Sequence, residues 1–516
     1  MRPPHVLDRR SLLRTAAVGG LAATAAPLTA APALAAPTFL RSDRPVLTHG
    51  VQSGDVLPGS GLVWARADRP ARMVVEVSDG PDFRHLRRLQ GPLLTPDTDF
   101  TGKLRVPGRG RAVHYRVVAE DLDGRAASEP VTGSFRLPPG RKDGVRFVWS
   151  GDVVGQGWGI NPDIGGMTIF SAMAEREPDF FLHSGDTVYA DGPLTETVTL
   201  PDGRTWRNVV IPEKLKVAET LAEYRGQYAY NLLDENVRRF AAAVPQINQW
   251  DDHEVTNNWY PGEVLTDDRY EEKRVDVLAA RAFQAFHEWV PLDPRRAVDG
   301  RVYRRLPYGP HVELFVIDMR TYRDANGANT GEGGRILGEE QARWLVDAMA
   351  SSKATWKFVA SDMPIGLHVP DGDSAWEAVA NGVDGPPSGR EAELAWVLAE
   401  LRRRKVRNVV WLTADVHYTA AHRYSPERAV FTEFDPFWEF VSGPLNAGAF
   451  GPSELDATFG PEAVFVQAPP ATNTSPLDGF QNFGEVEVAP GGSELRVALR
   501  GQDGRELWST TVAAVR

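Results

Sequence analysis

The stretch Pro178-Asp179-Phe180-Phe181-Leu182-His183-Ser184-Gly185-Asp186-Thr187-Val188-Tyr189 decides the fold. Its apolar run up to Leu182 reads as a short buried strand, and Gly185 begins a turn at the strand's end. A carboxylate in that position points into the crevice where open α/β sheets bind their ligands. Tyr189 follows three residues after Asp186, close enough to reach the same point. An Asp and a Tyr offer oxygen donors only, which suits a hard cation. The stretch therefore reads as the first half of a metal site.

Five further runs of the central chain end in the same way. Ser150-Gly151-Asp152, Asp251-Asp252-His253-Glu254, Asp318, Asp362 and Ala414-Asp415-Val416-His417 each follow an apolar run. A single Asp after a strand is as well explained by a helix N-cap. Six at one sheet edge, two of them with a His close behind, point to a shared site. From Val145 onward strands alternate with helices, which predicts a layered α/β domain. The strands are expected to end near Ser150, His183, Trp250, Ile317, Ala360 and Thr413. Helices are expected over 339–350 and 390–404, with longer charge-rich helices over 213–240 and 269–290. The chemistry that needs such a rim is attack on an anionic phosphate ester. Two cations side by side can acidify a water, hold the phosphate and stabilise the leaving oxygen. A carboxylate shared between them brings the cations close, and Asp186 is the candidate for that bridge.

The flanks read differently. Residues 45–137 are strand-like runs separated by turns, which suits a small β-sandwich. Thr48 to Asp55 reads as a turn at its start. Residues 138–144, opening with Pro138-Pro139-Gly140, read as a linker. The catalytic domain spans 145–480, and strands within 481–516 complete it, with a hairpin turn at Gly501-Gln502-Asp503-Gly504. These last strands are expected to belong to the second sheet of a sandwich. At the other end, Asp8-Arg9-Arg10-Ser11-Leu12-Leu13-Arg14 is a twin-arginine pattern, and Ala33-Leu34-Ala35 is a small-x-small cleavage site. Residues 1–35 are read as a signal peptide for the twin-arginine export machinery, giving a secreted or cell-envelope protein. Gly19, Gly20 and Pro27 interrupt the apolar part, so no permanent membrane anchor is expected. The chain has 516 residues, 42% hydrophobic and 24% charged, which fits a globular protein of two or three domains. A formal net charge of -12 argues against nucleic-acid binding. The absence of cysteine excludes disulfides, zinc–thiolate sites and a Cys nucleophile.

Taken together, Ser184-Gly185-Asp186, Trp250-Asp251-Asp252-His253-Glu254 and Thr413-Ala414-Asp415-Val416-His417 resemble the ordered blocks of the calcineurin-like metallophosphoesterases. More closely, Gly-Asp-x-x-Tyr, the run Trp250 to Asn258, Asp318-Met319-Arg320-Thr321-Tyr322-Arg323 and Asp-Val-His resemble the alkaline phosphatase D (PhoD-like) family. The resemblance implies an α/β fold: a layered metallophosphoesterase β-sandwich flanked by helices, with a small N-terminal all-β domain of fibronectin III/Ig-like type. It implies a phosphoric ester hydrolase that uses Fe(3+) and Ca(2+). By position, Asp186 and Tyr189 would bind the iron, with Asp186 bridging, and Asp415 and His417 would close the cluster. Asp252 would bind the second metal, Asn257 and Asn258 would supply neutral oxygens to calcium, and His253 would be the catalytic acid. Well-known members carry a Cys iron ligand after the first strand. Asp152 stands in its place here, a harder ligand that admits other divalent metals. Two alternatives remain: a phosphodiesterase acting on phospholipid head groups or a teichoic-acid-like polymer, and a non-catalytic secreted metal- or phosphate-binding protein. The Gly155 to Gly159 run is expected to border the site. His183 reads as a core histidine or a partner of a ligand, and His368 as a loop histidine. Asp318 is expected to form an ion pair with Arg320 or Arg323 behind the site.

Overall fold

The computed structural model of the chain describes residues 43–297 and 300–515, so the predicted signal peptide lies outside the described residues. Seven strands come first: β1 (Leu47–Leu57), β2 (Ser60–Ala67), β3 (Ala71–Ser78), β4 (Leu86–Leu94), β5 (Thr101–Pro107), β6 (Ala112–Glu120) and β7 (Val131–Arg136). The central region begins with β8 (Val145–Ser150), α1 (Ile169–Ala174), β9 (Phe180–Ser184) and the short hairpin β10 (Thr197–Thr199) and β11 (Thr205–Arg207). It continues with α2 (Leu221–Asn231), α3 (Glu235–Ala243), β12 (Gln246–Gln249), α4 (Val275–Trp289), β13 (Arg304–Tyr308), β14 (Val312–Val316), α5 (Glu339–Ser351) and β15 (Trp356–Ala360). After the small pair β16 (Pro370–Asp371) and β17 (Ala375–Trp376) come α6 (Arg390–Arg403), β18 (Val409–Thr413), β19 (Thr419–Tyr424), β20 (Phe437–Val441) and β21 (Pro461–Gln467). The chain closes with β22 (Asn482–Val488), β23 (Glu494–Gly501) and β24 (Glu506–Ala513).

Two large sheets stack face to face. One has nine strands in the order β24-β23-β22-β8-β9-β12-β1-β2-β5, and the other seven in the order β13-β14-β15-β18-β20-β19-β21. Alternation along each strand builds the layers. Phe147, Trp149, Phe180, Leu182 and Ile247 point from the first sheet into a core shared with Leu314, Val316, Phe358, Val410 and Leu412 of the second. Their neighbours Val148 and Phe181 point outward against α1 to α4, while Phe315, Val359 and Trp411 pack against α5 and α6. Across the seam the rings of Phe147 and Phe358 meet edge-on at 5.2 Å. Each such fully buried side chain contributes about 1.5–3 kcal/mol of transfer free energy. The expected β-sandwich flanked by helices is thus observed.

Four expectations need correction. The strands of 45–137 divide between two sheets: β3, β4, β6 and β7 form a four-stranded sheet, whereas β1, β2 and β5 extend the nine-stranded one. The cause is a shared core: Val75, Val77, Tyr115 and Val117 belong to the same apolar cluster as Phe147 and Leu314. Thr48 to Asp55 is not a turn but the body of β1, which pairs in parallel with β12. The C-terminal strands join the first sheet, because β22 pairs with β8, Val486 opposite Phe147. Residues 213–240 do not form one helix. A capping box between Thr220 and Glu223 starts α2, and the Asp234 carboxylate, accepting from the N–H groups of Asn236 and Val237, starts α3.

Candidate metal centre

Strands β8, β9, β12, β14, β15 and β18 end at Ser150, Ser184, Gln249, Val316, Ala360 and Thr413. Asp152, Asp186, Asp251, Asp318, Asp362 and Asp415 each stand two residues further on. The parallel pairings β8–β9, β9–β12, β14–β15 and β15–β18 bring these ends to one rim. The turns there are tight. Asp152 (φ 63°), Asp186 (φ 49°), Asn258 (φ 55°), Asp415 (φ 69°) and His417 (φ 57°) all hold left-handed backbone conformations. That region is costly for residues other than glycine, and such residues concentrate at functional sites. Gly185 sits where a Cβ would stand 2.5 Å from the Cβ of Asp251, so the two carboxylate turns can nest only around a glycine.

Three sets of ligand-type atoms lie within bonding reach of a common point: Asp152, Asp186 and His417; Asp186, Asp252 and His253; and Asp251, Asp252 and Asp415. Asp186 belongs to the first two sets, the position expected of a bridge. In the first set, His417 Nε2 lies 3.5 Å from Asp152 Oδ1 and accepts from the Tyr189 hydroxyl at 2.7 Å. His417 Nδ1 donates to the Gly448 carbonyl at 2.6 Å, which leaves the Nε2 lone pair facing the carboxylates. Gly155 allows its loop to cross the Tyr189 ring, since a Cβ there would lie 2.4 Å from Cδ1. In the second set, the His253 N–H donates to Asp186 Oδ1 at 3.2 Å, and its ring stacks on Tyr189 at 4.1 Å. His253 Nδ1 donates to Asp191 Oδ1 at 2.8 Å, while Nε2 lies 3.9 Å from Asp252 Oδ2. The third set already holds a side-chain cation. The buried Arg320 places Nη2 2.5 Å from Asp251 Oδ1 and 3.3 Å from Asp415 Oδ1, Nε 3.4 Å from Asp362 Oδ2, and Nη1 on Glu377.

The electrostatics favour added positive charge. Burial, with repulsion from Asp251, pushes Asp152 well above the usual carboxylate range; burial and Asp252 do the same to Asp186. Burial and Glu377 raise Asp415. Both oxygens of Asp152 and Oδ2 of Asp415 are buried without a hydrogen-bond partner. Buried carboxylates so placed need a proton or a cation. The donor set of carboxylates, imidazole and phenol therefore fits metal ions. Burial disfavours the charged form of His253, but Asp191 and Asp252 outweigh it and lift the imidazolium to about 10.

The structure brings Asp152, Asp186, Tyr189, Asp252, His253, Asp415 and His417 together. Asn258 supports the site by donating its N–H to Asp252 Oδ2 at 2.5 Å, and its side-chain amide donates to Asp371 at 3.0 Å. Asn257 donates its N–H to Asp191 at 2.9 Å. Asp318 departs from expectation: its carboxylate accepts from the N–H groups of Arg320 and Thr321 and from the Thr321 hydroxyl, and Arg320 turns instead to Asp251. His183 is a core histidine beside Phe181 on the helix-facing side, held neutral by burial. His368 lies in a loop, 3.7 Å from Asp456. Two supporting residues were not singled out from sequence. Asp191 stands two residues after Tyr189, a spacing that was available as a signal. Glu254 receives the N–H groups of Thr187 at 2.7 Å and Asp251 at 2.9 Å, tying two turns together.

Comparison with known proteins agrees with this geometry. The PhoD-like phosphatase family matches residues 147–499, and the PhoD-like phosphatase N-terminal domain matches residues 32–139. The chain belongs to the PhoD-like phosphatases. It is 28% identical over 443 residues to alkaline phosphatase D of Bacillus subtilis (strain 168), covering 80% of this chain and 72% of that protein. A solved structure of PhoD aligns with a TM-score of 0.66 at 22% identity, covering 92% of this chain and 94% of the other, which shows the shared fold. GAP50, the anchor in the inner membrane complex of Plasmodium, aligns with a TM-score of only 0.35 at 10% identity over 72% of this chain and 90% of that one. The PhoD-like chain is a phosphoric ester hydrolase, and its clusters of acidic and histidine side chains could hold metal ions. No helix among the described residues is long and apolar enough to cross a membrane.

Proposed function

We propose that this phosphatase hydrolyses phosphomonoesters at two cation positions joined by Asp186, with His253 as the acid for the leaving group. The observation that carries the reading is the membership of Asp186 in both the Asp152–His417 and the Asp252–His253 ligand sets. Cations held there supply charge for the phosphoryl oxygens and acidity for water. The chain's residues supply the remaining chemistry. Asp191 fixes the His253 ring through Nδ1, so the Nε2 proton faces the departing alkoxide oxygen. Stacking on Tyr189 holds the ring plane. His253→Ala should lower kcat by about 10²–10⁴-fold with the metal content unchanged. Full activity in that variant would remove His253 from the mechanism. Nitrophenyl phosphate compared with its bis-ester measures the preference for monoester over diester.

We infer further that Asp152, Asp186, Tyr189 and His417 hold a ferric ion and that Asp252, with Asp186, faces calcium. Burial and the Asp186 charge push the Tyr189 phenol well above its usual range, so only a strongly acidic cation would ionise it. A visible phenolate-to-iron band supports the assignment; a colourless, iron-free active enzyme refutes it. The Arg9-Arg10 leader supports export through the twin-arginine route to the outside of the cell or its envelope. Replacing both arginines by lysine should retain the enzyme in the cytoplasm, and normal export of that variant would reject the route.

A further inference from the structure

At the edge where β2 and β5 approach β13, a cleft of about 580 Å³ opens between the two sheets. Six arginines line it: Arg105, Arg295, Arg296, Arg301, Arg304 and Arg305. None of the metal-site residues does. In a chain of net charge -12 this is a local reversal of sign. Four of the guanidinium groups have carboxylate partners. Arg304 pairs with Asp55 at 2.9 Å, Arg305 with Glu313 at 2.7 Å, Arg301 with Glu340 at 2.8 Å, and Arg105 with Asp293. Among the described residues the Arg296 guanidinium donates only to the carbonyl of Arg305, at 2.8 Å. Arg295 is exposed and has no ion pair among the described residues.

Arg304 adds an independent sign. It is 3% exposed, yet its Nε is buried with no hydrogen-bond partner. Its charge is met by Asp55, and Nη1 donates to the carbonyls of Asn248 and Val302; only the Nε N–H is left without an acceptor, a costly state that an acceptor reaching it from the cleft relieves. Burial, together with the Arg105 and Arg304 charges, also presses the Arg296 guanidinium below its ordinary range. An anion there relieves both. The cleft lies at the functional rim: Arg304 pairs with Val316 at the end of β14, and its Nη1 donates to the carbonyl of Asn248, three residues before Asp251. Planar, forked donors at several angles match the tetrahedral oxygens of phosphate better than they match a single carboxylate.

We propose that this cleft is an accessory site for a phosphate-type oxyanion, gripped by Arg296 and Arg304 with Arg295 on the solvent side. The anion is either inorganic phosphate released by hydrolysis or a second phosphate on a larger substrate. Equilibrium dialysis of the metal-loaded enzyme against labelled inorganic phosphate tests the site without turnover. The wild type should bind two phosphates per chain, and Arg295→Gln/Arg296→Gln should bind one. Arg295→Gln alone, at an exposed position, should weaken the second phosphate about tenfold without a folding risk. One phosphate per wild-type chain, or two in the double variant at unchanged affinity, overturns the proposal. Kinetics then identify the source. If the substrate supplies the anion, the double variant raises KM for an alkyl bisphosphate about tenfold more than for nitrophenyl phosphate. If free phosphate supplies it, the variant changes how added phosphate affects the rate, equally for both substrates. A double variant matching the wild type in both arms also overturns it.

Discussion

Replacing Arg320 by Met tests whether the third carboxylate set is held by an internal cation. Arg320 is fully buried, and its guanidinium lies within 4.0 Å of oxygens from Asp251, Asp252, Asp362, Glu377 and Asp415. Removing one partner of a buried ion pair costs about 3–5 kcal/mol, because the remaining charge is left uncompensated. Unfolding entropy per residue makes about 1 kcal/mol correspond to roughly 1 °C for a chain this long. Arg320→Met should therefore lower the thermal midpoint by roughly 3–5 °C, read by scanning calorimetry in calcium-free buffer. Asp251, Asp252 and Asp415 stand within ligand reach of one another, so added calcium should restore most of the loss in the variant. The wild type, whose third set is already neutralised, should gain less. Arg320→Lys, which keeps the charge without the fork, should fall between them. An Arg320→Met enzyme as stable as wild type, with the same calcium response, would refute the reasoning.

Two other outcomes follow from particular contacts. Asp186→Ala should strip both metal positions, whereas Asp152→Ala should empty only the one it shares with His417; metal content per chain distinguishes them. Lys103 tucks its ammonium under the end of α4, donating to the carbonyls of His287 and Leu292. Burial lowers its pKa from 10.5 to about 7, with Asp55, Glu288 and Asp293 opposing the shift. Between those values the unfolded chain binds a proton that the folded chain does not, so this group adds stability as pH rises through the window. The stability difference between wild type and Lys103→Met should grow from pH 7 toward 10.5 and stay flat below it; a constant difference would show that Lys103 stays charged when folded.

The metal rim was legible because strand ends carry local marks. A short apolar run, a turn residue and an acid two places on are written contiguously at Asp152, Asp186 and Asp415. The family blocks added His253 and His417. Which acids neutralise an arginine was not legible: Asp251 and Asp252 are neighbours in sequence, yet Arg320 lies 2.5 Å from one and 3.8 Å from the other. Asp191 was missed because its partner, His253, lies on a different segment.

The amino-acid order alone determined the alternation of strands and helices, the apolar faces that pair the two sheets, and the acids at the strand ends. These follow from periods of two and 3.6 residues and from short-range turn chemistry, which neighbouring residues encode. Only the tertiary structure decided that β1, β2 and β5 share a sheet with β8 and β22, that Arg320 sits among Asp251, Asp362 and Glu377, and that six arginines from three segments face one cleft. Those features depend on which distant segments meet, and pairing of distant segments is settled by burial of a common core rather than by any local pattern.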